Sequence, residues 1–274
     1  MTTSLLARDI TLGYGSDPII SDLSLQVPDN SFTIIIGPNA CGKSTLLRGF
    51  ARLLKPTTGA VLLDGSELRS LKPKEAARKL GLLPQSSIAP DGITVADLVG
   101  RGRFPHQNAM RTWSREDERA VAEALDATGT TELSRRLVDE LSGGQRQRVW
   151  VAMALAQQTG HLLLDEPTTF LDIAHQIDLM ELFAELHQGG TTLVAVLHDL
   201  NHAARYATHL VAMRDGAIVA QGDPREIITA ELVEAVYDLP CSVITDPISG
   251  TPLVLPLGGR RSWQRARAAE AGAQ

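Results

Sequence analysis

Two periodicities of apolar residues divide this chain into strand-like and helix-like segments. Between Leu6 and Leu12, and again between Leu23 and Val27, apolar and polar residues alternate, and this period of two predicts a pair of half-buried antiparallel strands. The dipeptide Asp215-Gly216 predicts a two-residue type I′ turn between two further strands. Short apolar runs predict the remaining strands at 32–36, 60–63, 79–83, 161–164, 191–197, 210–214, 217–221 and within 241–257.

Helix-like stretches separate most of these strands. Ser114 is followed three residues later by Asp117, a pairing that resembles a capping box and marks a helix start. Two helical stretches, 94–99 and 116–127, fall between the strands at 79–83 and 161–164, and they predict a helical insert between two halves of one sheet. The predicted helices lie at 46–54, 94–99, 116–127, 149–158, 173–187 and 225–237.

A glycine-rich loop joins the apolar run 32–36 to the helix-like run 46–54. It fits the pattern G-x-x-x-x-G-K-[ST] without a gap, with strand before it and helix after it, which predicts a nucleoside triphosphate site. The glycines let backbone N–H groups turn around an anion, Lys43 adds a positive charge, and Ser44 offers its hydroxyl to Mg²⁺. This phosphate loop consists of Gly37, Pro38, Asn39, Ala40, Cys41, Gly42, Lys43, Ser44 and Thr45.

A second helix start, about a hundred residues later, also suits an anion. A serine and two glycines precede the helix-like run 149–158, where unpaired N–H groups and the helix dipole favour negative charge. One chain therefore has two helix N-termini that are suited to binding phosphate, and a single nucleotide site does not explain both. We call residues 141–145 the signature segment. The residues in it that suit an anion are Ser142, Gly143, Gly144 and Gln145.

Acidic and basic side chains follow two of the predicted strands. Asp165 and Glu166 come directly after 161–164, and His198 follows 191–197, at the end of a strand where ligands bind in open α/β sheets. Asp165 suits the Mg²⁺ shell, and Glu166 can accept a proton from a water aimed at the γ-phosphate. A single histidine is more often structural, yet this is the third strand whose exit carries chemistry suited to a triphosphate.

Composition narrows the setting in which this site works. The 274 residues suit one nucleotide-binding domain with an inserted lobe. A net charge of −6 argues against nucleic acid as the partner. Two cysteines, Cys41 and Cys241, are too few for a disulfide framework, so a reducing, cytosolic setting fits best. Without an apolar run of about 18 residues, any work at a membrane needs another subunit to cross it.

Tyr14 and Cys41 each keep two interpretations, and two further segments are predicted to lie outside the ligand site. Tyr14 either packs between strands or stacks on a base. Cys41 is either a thiol of lowered pKa that nucleotide protects, or a buried and inert one. The segment 101–106 predicts a solvated or partner-contacting turn rather than a ligand site. The tail 259–274, which carries four arginines among alanines, is predicted to be disordered, with no assigned function.

Taken together, these motifs resemble those of a known protein family. From Tyr14 to about Leu257 the chain resembles the ATPase subunit of ABC transporters, with six motifs in that family's order. The segments 101–107, 167–176 and 198–206 resemble the branch that energises uptake of ferric siderophores, and more loosely of haem and cobalamin. The motifs are Walker A at 37–45, the Q-loop at Gln85, the signature at 141–145, Walker B at 162–165 with Glu166 after it, the D-loop around Leu171-Asp172, and the switch histidine His198.

The resemblance implies a fold, an activity and partners. The fold is α/β, a P-loop NTPase (RecA-like) core with an antiparallel β subdomain and an inserted α-helical subdomain at about 86–160, forming one ATPase domain over 1–258. The activity is ATP hydrolysis with Mg²⁺. The partners are a second copy of the chain, transmembrane permease subunits and, indirectly, an extracytoplasmic substrate-binding protein, and the subunit lies peripherally on the cytoplasmic face of the membrane.

The resemblance also implies residue roles. Two subunits meet head to tail, so each ATP lies between the Lys43 loop of one and the Ser142 segment of the other, which explains two phosphate sites in one chain. Tyr14 stacks on adenine, Gln85 senses Mg²⁺ or water and relays to the permease, and His198 holds the γ-phosphate. The insert after Gln85 contacts the permease.

One position of the phosphate loop departs from the family. Ala40 stands where the family usually has glycine. If the loop requires a positive φ there, alanine costs on the order of 1 kcal/mol. If the loop does not require a positive φ, alanine at position 40 has no energetic cost.

Competing functions share these motifs. An ABC-type ATPase of DNA repair or chromosome architecture usually carries long heptad arms or a Cys-x-x-Cys hook between the Walker sites, and this chain has neither. A translation factor of the same family normally holds two cassettes, and here there is one. Co-purification with a polytopic membrane protein or with nucleic acid discriminates among these.

Overall fold

Strands of three sheets run through the chain. The computed structural model describes residues 5–85, 88–107 and 112–258. The predicted disordered tail and the first residues of the chain lie outside these ranges. In chain order the strands are β1 Leu5–Tyr14, β2 Asp17–Val27, β3 Phe32–Ile36, β4 Thr58–Leu63, β5 Ser66–Glu67, β6 Leu80–Leu83, β7 His161–Asp165, β8 Thr192–Val196, β9 His209–Arg214, β10 Ala217–Gly222, β11 Cys241–Thr245 and β12 Pro252–Pro256.

Helices fill the connections between these strands. Two of them, α2 and α7, each seven residues long, are absent from the sequence prediction because a helix of two turns carries too few apolar positions to show a period. The helices are α1 Lys43–Phe50, α2 Pro73–Lys79, α3 Val95–Gly100, α4 Arg115–Ala127, α5 Gly143–Ala156, α6 Ile173–Gln188, α7 Leu200–Tyr206, α8 Pro224–Ile227 and α9 Ala230–Tyr237.

The central sheet is mostly parallel and carries the site. Its strand order is β10-β9-β3-β8-β7-β6, with β9, β3, β8, β7 and β6 parallel and β10 paired antiparallel to β9. Because neighbouring parallel strands end at the same edge, the loops after β3, β7 and β8 meet there. An antiparallel sheet of order β2-β1-β4-β5 lies beside it, and β11 pairs with β12 in a separate hairpin.

Apolar side chains on both faces hold the central sheet. Phe32, Ile34 and Ile36 of β3 belong to one core, while Ile35 belongs to the other. β8 divides its side chains in the same way, since Leu193 belongs to the first core. Strands buried on both faces read as continuous apolar runs, which is why the sequence predicts them. The predicted α/β fold, with its antiparallel subdomain and helical insert, is confirmed.

The helical insert follows β6 and precedes β7. α3, α4 and α5 pack on one another there. Ser114 and Asp117 form the predicted capping box at the start of α4, with hydrogen bonds in both directions. None of the helices in the described part of the chain has both the length and the apolar character needed to cross a membrane.

Within the segment 101–106, Arg103 differs from the predicted solvated or partner-contacting turn, because its side chain is buried. Arg103 is 1% exposed. Its Nε donates to Asp117 Oδ1 over 2.8 Å, and its Nη1 donates to the carbonyl of Ala156 over 2.9 Å. Burial alone would raise the pKa of Asp117, but hydrogen bonds from Arg103 and Ser114 lower it below its ordinary value. The segment therefore fastens α4 to the end of α5.

One predicted helix also differs from the sequence prediction. The predicted helix 225–237 is interrupted after Ile227, where Thr229 begins α9 by accepting a hydrogen bond from the N–H of Leu232. A threonine at this position competes with helix continuation because its hydroxyl caps a new start. The hairpin prediction is confirmed, since Asp215 and Gly216 both have positive φ and join β9 to β10.

Candidate functional site

The phosphate loop is shaped by glycines at its two fixed positions. Gly37 has φ 153°, and an added Cβ there would lie 2.2 Å from the carbonyl oxygen of Met213, so no other residue fits without moving β9. Gly42 has φ 104° and sits at the N-cap of α1, a conformation that L side chains rarely adopt. These two glycines turn the chain sharply from β3 into α1.

Ala40 occupies the left-handed region, with φ 63°. The loop therefore does require a positive φ at this position, and alanine carries the strain that the sequence left open. The expected cost is on the order of 1 kcal/mol. Its methyl group is exposed, so packing contributes little in compensation.

Lys43 lies at the centre of the loop with 5% exposure. Its Nζ donates to the carbonyl oxygens of Gly37 and Pro38 over 2.8 and 2.9 Å. These carbonyls hold the ammonium over the loop, where the predicted phosphates would lie. A buried ammonium with only neutral partners is well prepared to exchange them for an anion.

Ser44 and Asp165 meet across the sheet edge. Ser44, in the first turn of α1, donates through Oγ to Asp165 Oδ1 over 2.9 Å, which brings together two residues 121 positions apart in sequence. Asp165 ends β7 and is 4% exposed. Burial raises the pKa of its carboxyl, while the bond from Ser44 opposes that rise. A cation beside Asp165 would relieve the cost of burying this charge.

Glu166 is held at both carboxylate oxygens. Gln85 donates through Nε2 to Oε2 over 2.6 Å, and His198 Nε2 lies 2.7 Å from Oε1. The backbone of Glu166 has φ 52°, and its N–H donates to the carbonyl of Val196 on β8. The strand exits of β6, β7 and β8 thus converge on one carboxylate.

A cavity of about 480 Å³ connects the phosphate loop with this carboxylate. It brings together most of the residues predicted from the three strand exits, and it includes Ile19 of β2, which the sequence analysis missed because an apolar strand residue carries no chemical signal. The predicted residues lining it are Asn39, Ala40, Gly42, Lys43, Ser44, Thr45, Gln85, Glu166 and His198.

Tyr14 does not line this cavity. It is 51% exposed, and its hydroxyl accepts a hydrogen bond from Arg48 Nη1 over 2.8 Å. Both residues line a neighbouring cavity of about 320 Å³ that also reaches Gln85 and Asp165. The sequence analysis missed Arg48, although its spacing of four from Ser44 places both on one face of α1. The stacking role of Tyr14 stays a prediction.

Cys41 contradicts the expectation of an activated thiol. It is 3% exposed and belongs to the apolar core beneath the loop. Burial raises the pKa of its thiol, and the nearby positive charge of Lys43 does not overcome that effect. Of the two interpretations, the buried and inert cysteine is the one the structure supports.

The signature segment lies at the start of α5, apart from the lining of the cavity. Ser142 Oγ accepts from the N–H of Gln145, and Gln145 Oε1 accepts from the N–H of Ser142, so the two form a capping box. A Cβ added to Gly144 would lie 3.4 Å from Leu171 of the predicted D-loop. Within one chain, this anion-suited helix start does not line the cavity that Lys43 serves.

Comparisons with known proteins agree with this geometry. A family model described as ABC transporter matches residues 20–169. The ferric enterobactin transport ATP-binding protein FepC of Escherichia coli (strain K12) is 57% identical over 255 residues, which cover 93% of this chain and 94% of that protein.

Solved structures agree as well. An ABC transporter assigned to the metal-chelate type, in an inward-facing conformation, gives a TM-score of 0.80 at 27% identity, over 94% of this chain and 98% of that one. A dimeric ATP-binding cassette in a post-hydrolysis state, bound to ADP and Pi, gives a TM-score of 0.71 at 28% identity, over 80% of this chain and 98% of that one.

Proposed function

The chain belongs to the family of ABC transporter ATP-binding proteins, and from this premise we propose that it is the ATP-hydrolysing motor of an importer that takes up ferric siderophores. The convergence of Lys43, Ser44 and Glu166 at one cavity, with Asp165 hydrogen-bonded to Ser44 beside it, carries the ATPase part of the proposal. The 57% identity to a ferric enterobactin transport protein carries the substrate part.

Each side chain at the cavity has a role that its chemistry supports. Lys43 leaves the carbonyls of the loop and binds the outer phosphates. Glu166 orients and deprotonates the attacking water, with Gln85 and His198 fixing its two oxygens in the free protein. When nucleotide is bound, His198 turns to the γ-phosphate, where it stabilises the developing charge.

The residues suited to Mg²⁺ are Ser44, Asp165 and Gln85. They offer a hydroxyl, a carboxylate and an amide oxygen, the hard donors that this ion prefers, and the buried carboxylate of Asp165 benefits from a neighbouring cation. When bound, Mg²⁺ supplies positive charge that offsets the charge of the outer phosphates. Ser44 and Asp165 already lie within 2.9 Å of each other.

The ATP site is completed by a second copy of the chain. The signature segment does not line the cavity of its own chain, although its helix start is suited to phosphate. In a head-to-tail dimer Ser142 reaches the nucleotide held by the partner's phosphate loop. Mixed dimers test this arrangement, because Ser142→Arg and Lys43→Ala, each inactive alone, leave one of the two sites intact when combined.

Partial ATP hydrolysis by the mixed dimer is the expected result. Ser142→Arg alone should leave ATP binding to the monomer unchanged, whereas Lys43→Ala should abolish it. If Ser142→Arg instead weakens binding to the isolated monomer as strongly as Lys43→Ala does, the serine acts within its own chain and the head-to-tail arrangement is wrong.

The helical insert is the proposed contact with the permease. A cavity of about 810 Å³ opens on it, and Phe104 and Trp113 in its lining are each about half exposed, at 52% and 51%. Exposed aromatic side chains around a groove are typical of protein contacts. Through this contact the subunit lies on the cytoplasmic face of the membrane, and an extracytoplasmic protein delivers the substrate to the permease.

The domain division follows from this assignment. Residues 1–258 form one ATPase domain with the helical subdomain inserted at about 86–160, and 259–274 form a tail. The chain has no proposed role on nucleic acid. Co-purification with a polytopic membrane protein supports the importer, whereas co-purification with nucleic acid contradicts it.

The substrate class is tested with the transport complex purified with its permease and reconstituted in vesicles. ATP hydrolysis should rise when a ferric siderophore and its binding protein are supplied, and it should not rise with cobalamin or haem. Glu166→Gln is the matched control, because it retains ATP binding without turnover. Stimulation by haem or cobalamin alone would contradict the iron assignment and leave the ATPase assignment in place.

A further inference from the structure

The helix that follows His198 is fastened at its start to the C-terminal hairpin. α7 begins two residues after His198, and Asp199 caps it by accepting from the N–H groups of Asn201 and His202, each over 2.8 Å. The side chain of Asn201 then leaves the helix. Its Oδ1 accepts from the N–H of Val254 on β12 over 2.8 Å, and its Nδ2 donates to the carbonyl of the same residue over 3.4 Å.

This pair of bonds takes the place of a neighbouring strand. β12 pairs with β11 along one edge, and the amide of Asn201 satisfies both backbone groups of Val254 at the middle of β12. Val254 is 3% exposed, in the same core as Ala203 and Ala204 of α7. Since an isolated two-stranded hairpin is marginal in water, α7 and the hairpin stabilise each other.

The hairpin is itself a fixed body. Asp246 accepts from the N–H of Ile248 and from the hydroxyl of Ser249, while its own N–H donates to the carbonyl of Thr251. The hydrogen bond from Ser249 is the main cause that lowers the pKa of Asp246. The turn between β11 and β12 is therefore closed by its own side chains, and Asn201 joins α7 to this closed hairpin.

The ring of His198 lies at the edge of the phosphate cavity. Its ring is 49% exposed, and Glu166 is the partner within ion-pair distance. Its position depends on the backbone that leaves β8 and enters α7.

We propose that Asn201 is a positioning residue for His198, fastening the start of α7 to β12 and so fixing the histidine at the mouth of the phosphate cavity. The C-terminal hairpin is then a working part of the ATP site, although it contributes no side chain to the cavity lining. This proposal rests on the role in hydrolysis proposed above for His198. The proposal predicts that loss of the Asn201 amide displaces the His198 ring while nucleotide binding stays nearly unchanged.

The test compares two variants that weaken the same hairpin. Asn201→Leu keeps a similar volume and removes both bonds to Val254, whereas Ser249→Ala removes bonds inside the turn and leaves Asn201 in place. Each is made in the full-length chain, and its thermal midpoint is measured. ATP hydrolysis is measured in the complex purified with its permease, and the histidine ring signals are recorded by NMR, with His198 assigned from His198→Ala.

Asn201→Leu should lower kcat on the order of tenfold, because a small displacement of a catalytic group is enough for that loss, and it should leave KM for ATP within about twofold. The ring signal of His198 should shift, while that of His161, at the opposite end of β7, stays in place. Ser249→Ala should keep the wild-type kcat and the wild-type His198 signal even where its thermal midpoint falls as far.

Two results would overturn the positioning role. One is an unmoved His198 signal with kcat near the wild-type value in Asn201→Leu. The other is an equal loss of kcat in Ser249→Ala, which would show that Asn201 only holds the hairpin together. If His198→Ala itself keeps the wild-type kcat, the proposed role of the histidine in hydrolysis fails, and the ring signal in Asn201→Leu still decides whether Asn201 positions it.

Discussion

Replacing Ala40 by glycine should stabilise the protein, against the usual effect of that substitution. Ala40 has φ 63°, and an L residue in this region carries a strain of about 1 kcal/mol. Glycine removes the strain but gives the unfolded chain more freedom, which costs about 0.5 kcal/mol. The net gain is about 0.5 kcal/mol, or a rise in Tm of about 1–2 °C for a chain of this size.

The matched control is Ala127→Gly. Ala127 is equally exposed and ends α4 in a right-handed conformation, so the same atoms are removed without any strain to relieve. This variant should lose about 0.5–1 kcal/mol. Both are compared by thermal and urea unfolding of the nucleotide-free protein, and Ala40→Val should be less stable than either, because a β-branched residue is strongly disfavoured at positive φ.

The sign of the change in Tm caused by Ala40→Gly tests this reasoning. If Ala40→Gly lowers Tm as far as Ala127→Gly does, the loop does not hold a left-handed residue at position 40. In that case the departure from the family pattern is silent, and the strain assigned to the phosphate loop is wrong.

Three further predictions follow from side chains at the site and in the helical insert. Glu166→Gln should lower kcat on the order of a hundredfold or more while ATP binding persists, so that ATP traps a dimer in size-exclusion chromatography; near-wild-type hydrolysis would remove Glu166 from the role of base. Cys41 should react with a maleimide at pH 7 at least about tenfold more slowly than in the unfolded chain, with or without Mg-ATP, and faster as pH rises towards its raised pKa; rapid labelling that Mg-ATP suppresses would contradict its burial. Asp117→Ala should cost about 3–5 kcal/mol in urea unfolding at pH 7, because it leaves the buried guanidinium of Arg103 unpaired. Since the folded-state pKa of Asp117 is lowered, the wild type keeps this contribution above the ordinary carboxylate range and loses it as pH falls through the folded-state pKa; a difference between the two proteins that persists below that pKa would contradict the ion pair.

Local patterns account for the parts of the fold that the sequence predicts. The capping box at Ser114, the helix start after Ser142 and the turn at Asp215 each depend on a few neighbouring residues, and the structure has all three. The strands of the central sheet are apolar throughout because they are buried on both faces, so their positions are visible in the sequence as well.

Tertiary contacts decide the features that sequence reasoning missed. The direction of the Arg103 side chain depends on where Asp117 and the end of α5 lie, and no local pattern distinguishes a buried arginine from a solvated one. Cys41 is buried because its loop lies over an apolar core. The bonds between Asn201 and Val254 span 53 residues, so no local pattern predicts them.

The functional site also contains some features that local sequence predicts and others that depend on tertiary contacts. Phosphate-loop chemistry depends on an eight-residue pattern, and the sequence predicts it closely. The pairing of Ser44 with Asp165 depends on β3 and β7 ending at one edge, which the α/β pattern predicts in outline. The hydrogen bonds that hold Glu166 between Gln85 and His198 require the actual geometry of three strand exits.

Accumulation of a labelled ferric siderophore in a deletion strain measures whether this ATPase drives uptake of ferric siderophores. Deletion should abolish uptake of the iron label, wild-type protein should restore it, and Glu166→Gln should not, while uptake of labelled cobalamin stays normal in all three strains. The opposite result, unchanged uptake of the ferric chelate with loss of cobalamin accumulation, would contradict the iron assignment.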